Sequence, residues 1–212
     1  MKFKDIDSFY RKIPLHIKLY LYIRSIIFDF QKLINTIPVG AKKICEIGCG
    51  YGMASFMLAD RYKEAEVFAY DLNQKRIKCL KAINPFSHLS FYAEDAVDIT
   101  QREADVIIMA DLLHHLTFEQ QKVFLKKIQG MLCDEGIVVV KDMDKGRFSL
   151  RHAVNFLIDV VNTKGLTFYY HTQESFVQLF QSCGFKVQKR IRANRWFIPL
   201  NHIIFVLEKK IS

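Results

Sequence analysis

The chain has 212 residues and a formal net charge of +9; half of its residues are hydrophobic and 13% are aromatic. That composition excludes a disordered chain and suffices for one domain with a full core. There is no run of 18 uncharged apolar residues, no signal-peptide pattern and no C-x-x-C among the five cysteines at 45, 49, 79, 133 and 183, so we expect a cytoplasmic protein with free thiols.

Residues 5–36 read as helical, with Ile17, Leu21, Ile27, Leu33 and Ile34 in an apolar stripe. Pro14 predicts a break and a second helix near 15–35, which Pro38-Val39-Gly40 ends. The expected elements then follow in order: a strand over 43–47, a helix over 51–61, a strand over 66–71 and a helix over 73–82. Next come strands over 89–92 and 105–110, a helix over 117–133 and a strand over 137–141. Alternating strands and helices imply a parallel sheet covered on both faces. The stretch 145–170 breaks the alternation and is rich in aromatic and basic residues, including Arg147, Phe148, Arg151 and Phe156. It reads as an inserted helix and loop. A helix over 173–183 and strands over 185–192 and 202–208 complete the chain. The expected fold is α/β: a doubly wound, Rossmann-like, seven-stranded and mostly parallel sheet. Residues 1–36 form an N-terminal helical lid segment, 37–212 the main domain, and 145–170 an inserted lid after the fifth strand.

Charge is unevenly placed. Residues 145–212 hold 11 basic and 3 acidic side chains, 1–36 hold 7 and 3, and 37–144 hold 13 and 16. The flanks therefore carry all the positive excess. Either they are solvated surface lysines and arginines, or they face an anionic partner: a membrane surface, an acidic substrate or nucleic acid.

The chemistry concentrates at Ile44-Cys45-Glu46-Ile47-Gly48-Cys49-Gly50-Tyr51-Gly52-Met53. A short apolar strand runs into a turn with glycine at every second position, then into a helix. Gly48, Gly50 and Gly52 permit positive φ and close backbone approach to a ligand, and the helix aims its amide dipoles there. Asp71 closes the next strand, where a carboxylate can accept hydrogen bonds from both hydroxyls of a ribose. A dinucleotide fingerprint would need glycine or alanine where Met53 stands, and no G-x-x-x-x-G-K-[ST] is present.

The E-x-G-x-G-x-G spacing from Glu46 resembles motif I of the class I S-adenosylmethionine-dependent methyltransferases. Asp71 matches the ribose-binding acid of that family, and Glu94-Asp95-Ala96 the acidic pair beside the adenine. Asp111-Leu112-Leu113-His114-His115-Leu116 matches motif IV in a D-x-L-H-H-L variant. The order holds from about Lys42 to Asp144 and more loosely to Lys210. The resemblance implies a site for S-adenosylmethionine, with S-adenosylhomocysteine as product, held by Glu46, Gly48, Gly50, Gly52, Asp71, Leu72, Asp95, Ala96 and Asp111.

Candidates for acid–base or orienting work lie at strand ends. His114 and Asp111 are the catalytic expectation, with His114 rather than His115 facing the cleft, since adjacent helical side chains diverge by about 100°. Asp142, His171, Tyr169 and Tyr170 are further candidates with plain packing or capping alternatives. No spacing suggests a metal. The sequence lacks the [D/N/S]-P-P-[Y/F] of amino-group methyltransferases and any Pro-Cys dipeptide. The expected acceptor is a small, partly apolar molecule, aromatic or lipid-like, methylated at oxygen. The apolar basic flanks would serve it at the periphery of a membrane. RNA as acceptor through those flanks, or a partner subunit that binds cofactor without catalysis, are the alternatives.

Overall fold

The computed structural model describes residue 10 and residues 13–96, 98–100, 103–145, 168–193 and 201–210. Seven strands form one sheet in the order β3-β2-β1-β4-β5-β7-β6. They are β1 (Lys43–Ile47), β2 (Glu66–Tyr70), β3 (Leu89–Tyr92), β4 (Ala104–Ala110), β5 (Leu132–Met143), β6 (Phe185–Arg192) and β7 (His202–Lys209). The first five are parallel, whereas β7 runs antiparallel to both β5 and β6. The strand order reverses at β1, so the crevice beyond the carboxyl ends of β1 and β4 is where such a sheet binds ligands.

Strand faces alternate cleanly. Val106, Ile108 and Val139 pack on one side, against α2 (Phe30–Ile34), α3 (Met53–Arg61) and α4 (Gln74–Ile83). Ile107, Met109, Val138 and Val140 pack on the other, against α5 (Phe118–Met131) and α6 (Gln173–Ser182). All seven side chains are fully buried. Each contributes about 1.5–3 kcal/mol through burial, which fixes the strand register and with it the strand ends.

Local signals set the boundaries. Thr117 and Gln120 form a reciprocal capping box that starts α5. Asn73 caps α4, and Thr172 caps α6. Three expectations are corrected. The N-terminal helix α1 (Leu15–Ile27) stops at Phe28, and the short α2 restarts after Asp29, whose side chain accepts the Gln31 N–H at 3.2 Å. An aspartate cap thus divides one apolar stripe into two helices. α3 begins at Met53 rather than 51, because Gly50 and Gly52 hold left-handed φ of 58° and 72°. β5 begins five residues early, at Leu132, through an irregular register opposite Ala104 and Val106. Residues 146–167, most of the expected inserted lid, lie outside the described residues. Among the described residues no helix is long and apolar enough to cross a membrane. All five cysteines are free thiols.

Candidate active site

A cavity of ≈ 1210 Å³ opens beyond the carboxyl ends of β1, β2 and β4. That exceeds the usual span of single-ligand pockets, about 300–1,000 Å³, and suits two ligands side by side.

One half is the glycine turn. Gly48, Gly50 and Gly52 all take positive φ. The backbone N–H groups of Gly48 and Cys49 both donate to the Tyr70 carbonyl, at 2.8 and 2.9 Å, which ties the turn to the end of β2. A Cβ on Gly50 would meet nothing within 4 Å, so the turn presents bare backbone to open space. A Cβ on Gly52 would come within 3.0 Å of Leu80, so this glycine serves the packing of α3 on α4 and does not line the cavity. Asp71 accepts the Gly50 N–H at 2.8 Å and the Asn73 N–H at 2.8 Å. Arg76 lies 3.9 Å from the same carboxylate and 5.0 Å over the Tyr51 ring. Leu72, Asp95 and Ala96 continue the wall.

Glu46 forms the floor. It is buried and accepts a short hydrogen bond from the Ser55 hydroxyl. Burial pushes its carboxyl up to about 7; Ser55 and Arg24 oppose that rise and Asp71 adds to it.

The other half centres on Asp111, held at φ 57° just past β4, a left-handed conformation that aspartate tolerates better than most residues. Its carboxylate accepts from Arg24 of α1 at 2.8 Å and from the buried Lys141 of β5. Burial alone would raise its pKa, but Lys141 and then Arg24 outweigh burial and hold it well below the carboxylate range. Burial also lowers the pKa of Lys141, with Asp111 pulling the other way. The His202 Nδ1 lies 3.9 Å from the same carboxylate. Asp111 is thus the hub of a polar cluster drawn from four distant segments, ion-paired to Arg24 and Lys141 with His202 beside it. α1 is fastened over the crevice by Arg24 and by the Tyr20 ring, which lies edge-on to Tyr51 at 5.8 Å. Ile17, Leu19, Ile23 and Ile27 of α1 line the cavity.

The expectation that His114 faces the cleft is corrected. His114 is fully buried and does not line the cavity. Its Nδ1 lies 2.5 Å from the Asp142 carboxylate, and its ring stacks with Tyr170 at 5.4 Å. Asp142 therefore orients His114 behind the cavity wall. His115 lines the cavity instead. The turn Leu113–His115 is 3₁₀, which sends successive side chains about 120° apart, and Asp142 captures the first histidine. Screening of the ring from water, then the neighbouring His114, lowers the His115 pKa to about 4. His171 is likewise structural: its ring bonds Gln121 at 2.6 Å and the Ser175 hydroxyl, joining α5 to α6. Neither Tyr169 nor Tyr170 lines the cavity.

No motif marks Arg24 or His202, and Lys141 stands out in the sequence only as the end of a strand. A signal for His202 existed. In a sheet whose last-placed strand is antiparallel, the crevice side is that strand's beginning, and His202 opens β7.

Residues 45–138 match the family model of a methyltransferase domain. No curated protein matches the sequence. Among solved structures, a mitomycin 7-O-methyltransferase is similar with a TM-score of 0.69 at 15% identity, covering 85% of this chain and 54% of that one. A TehB-like methyltransferase from Corynebacterium glutamicum is similar with a TM-score of 0.63 at 20% identity, covering 86% of this chain and 88% of the other. The 1,6-didemethyltoxoflavin-N1-methyltransferase of Burkholderia thailandensis, solved with 1,6-didemethyltoxoflavin and S-adenosylhomocysteine, gives 0.66 at 14% identity, covering 86% and 78%. The chain spans about half the length of the first of these. Residues 45–138 thus resemble a methyltransferase domain, and the seven-stranded sheet around them has the fold of these solved methyltransferases.

Proposed function

We propose that this protein transfers the methyl group of S-adenosylmethionine to an oxygen of a small, partly apolar acceptor. The observation that carries the reading is the glycine turn. Gly50 shows bare backbone to a large cavity, and Asp71 stands against it with its carboxylate anchored by two backbone N–H groups. These residues fit the cofactor. Asp71 would hold the ribose hydroxyls, Leu72, Asp95 and Ala96 the adenine, and Gly48 above Glu46 the amino acid end. The bound cofactor supplies a methyl group made electrophilic by its sulfonium.

The acceptor half is walled by α1 and by Phe28, Leu116 and Phe124, so an apolar body is favoured there. This supports reading residues 1–36 as a lid over the acceptor. Leu15, Leu19, Tyr22 and Ile23 share one exposed face of α1, and Leu19 and Ile23 also line the cavity. An apolar face continuous with the cavity supports peripheral contact with a membrane that holds a lipid-like acceptor. The basic side chains Lys186, Lys189, Arg190 and Arg192 are exposed on the edge strand β6, and none lines the cavity. That separation favours a small acceptor over RNA.

The test is transfer of label from methyl-labelled S-adenosylmethionine into an extract of the source cell, split into lipid, small-molecule, RNA and protein fractions. We expect label in the lipid or small-molecule fraction. Label confined to RNA would replace this reading with the RNA one, and no label in any fraction would contradict methyl transfer.

A further inference from the structure

Among the described residues, one buried nitrogen at the acceptor end of the cavity lacks a partner. His202 is 8% exposed and lines the cavity. Its Nδ1 is enclosed and makes no hydrogen bond to any of the described residues. The nearest carboxylate oxygen, Asp111 Oδ1, is 3.9 Å away, beyond hydrogen-bonding range, and is already engaged by Lys141. Buried polar atoms are nearly always satisfied, and one left over beside a cavity calls for a ligand atom.

The surroundings say which kind of atom. Burial, then Lys141, holds the His202 pKa down to about 3, with Asp111 and Asp142 pulling it up and Arg24 adding to the fall. The imidazole is therefore neutral and can offer a lone pair at Nδ1. The Lys141 ammonium bonds the same Asp111 oxygen that lies 3.9 Å from Nδ1, and both residues line the cavity, so a group that donates a hydrogen to Nδ1 also lies near that ammonium. A hydroxyl suits both neighbours: it donates to Nδ1, accepts from the ammonium through one lone pair, and keeps a second lone pair for attack. An amine has a single lone pair, which the ammonium would consume. A carboxylate has no hydrogen for Nδ1 and would face Asp111.

We propose that His202 Nδ1 receives the hydroxyl proton of the acceptor, which is an alcohol or a phenol. The inference rests on the methyl-transfer reading above and adds the acceptor's reacting group and the residue that holds it. The balance is complete. The carbon–oxygen bond forms as the carbon–sulfur bond breaks, the electron pair stays on sulfur, and the hydroxyl proton passes to Nδ1 and then to solvent. The low basicity of His202 suits a late proton transfer, because an oxygen that has gained a methyl group is a strong acid.

The experiment compares wild type, His202→Ala and His202→Gln for S-adenosylhomocysteine affinity and for label transfer into the extract fractions. Both variants should bind S-adenosylhomocysteine within about threefold of wild type and transfer label about 100-fold more slowly, the lower range for losing a general base. Added imidazole should restore part of the His202→Ala rate, and the labelled product should be an alkali-stable ether. Wild-type transfer rates in the variants would overturn the proposal. So would loss of S-adenosylhomocysteine binding in both variants, no rescue by imidazole, or a labelled ester or amine. If wild type binds S-adenosylhomocysteine but labels nothing, the methyl-transfer reading falls and this inference falls with it.

Discussion

The two halves of the cavity are built in different ways. The cofactor half comes from near-contiguous stretches: Glu46 to Tyr51 with Met53, Asp71 to Asn73, and Asp95 with Ala96. The acceptor half joins Arg24, Asp111, Lys141 and His202, four side chains from four segments far apart in the chain. A backbone turn needs only local residue types, so it is written in consecutive letters. A buried polar hub needs the whole sheet assembled, because only strand register brings β4, β5 and β7 together at one end. The hub is also the more fragile half, since charges buried in pairs are costly to separate.

The strongest way to break that contrast is Asp111→Asn. It would leave the buried Lys141 ammonium without its counter-charge and Arg24 without its anchor. We expect a loss of about 3–5 kcal/mol of stability, read by denaturant unfolding. A loss below about 1 kcal/mol would mean that the hub is not structural.

In the cofactor half the matching change is Gly50→Ala. Its φ of 58° is left-handed, while the new Cβ would meet open space. Stability should fall by only about 1 kcal/mol. Affinity for S-adenosylhomocysteine, read by calorimetry, should fall about tenfold because the methyl group occupies the ligand's approach.

Glu46 sharpens the contrast through pH. Its pKa rises on folding from 4.5 to about 7, with burial as the main cause. Between those values the folded protein keeps a proton that the unfolded chain has released. The stability this contributes is full below about pH 4.5 and is lost as pH rises through about 7, roughly 3 kcal/mol in all. Glu46→Gln should remove this slope from unfolding curves taken across pH 4.5–7. The same titration makes the floor anionic above pH 7, so wild-type affinity for the cationic cofactor should rise through neutrality and the variant's should not.

The smallest effect is expected at Arg24→Met. The Arg24–Asp111 pair is partly exposed, and Lys141 remains to balance Asp111. We expect about 1 kcal/mol or less in stability, together with faster proteolysis of α1, because the arginine ties that helix to Asp111.

The same contrast explains what could be read from sequence. The sheet, its helices and the glycine turn were legible because periodicity and turn chemistry are local. Of the residues the motif spacing named, Glu46, Gly48, Gly50, Asp71, Leu72, Asp95, Ala96 and Asp111 line the cavity, and Gly52 does not. The early start of β5 was hidden because the helix reads on to 133 and Asp134-Glu135-Gly136 reads as a polar turn; Leu132 pairs with Ala104, and an irregular stretch then leads to the Ile137–Val106 pairing. The choice between His114 and His115 depended on Asp142, 28 residues away, which draws His114 behind the wall. Arg24 looked like a polar residue on an amphipathic helix until the Asp111 carboxylate appeared across from it.

The account rests first on the glycine turn being an S-adenosyl site. The most direct test is calorimetric titration of wild type and Asp71→Ala with S-adenosylhomocysteine, alongside unfolding curves to show that both are folded. The account predicts saturable binding by wild type and at least about 100-fold weaker binding by the variant, near 2.7 kcal/mol. Equal affinity in the two folded proteins, or no binding by wild type, would contradict it.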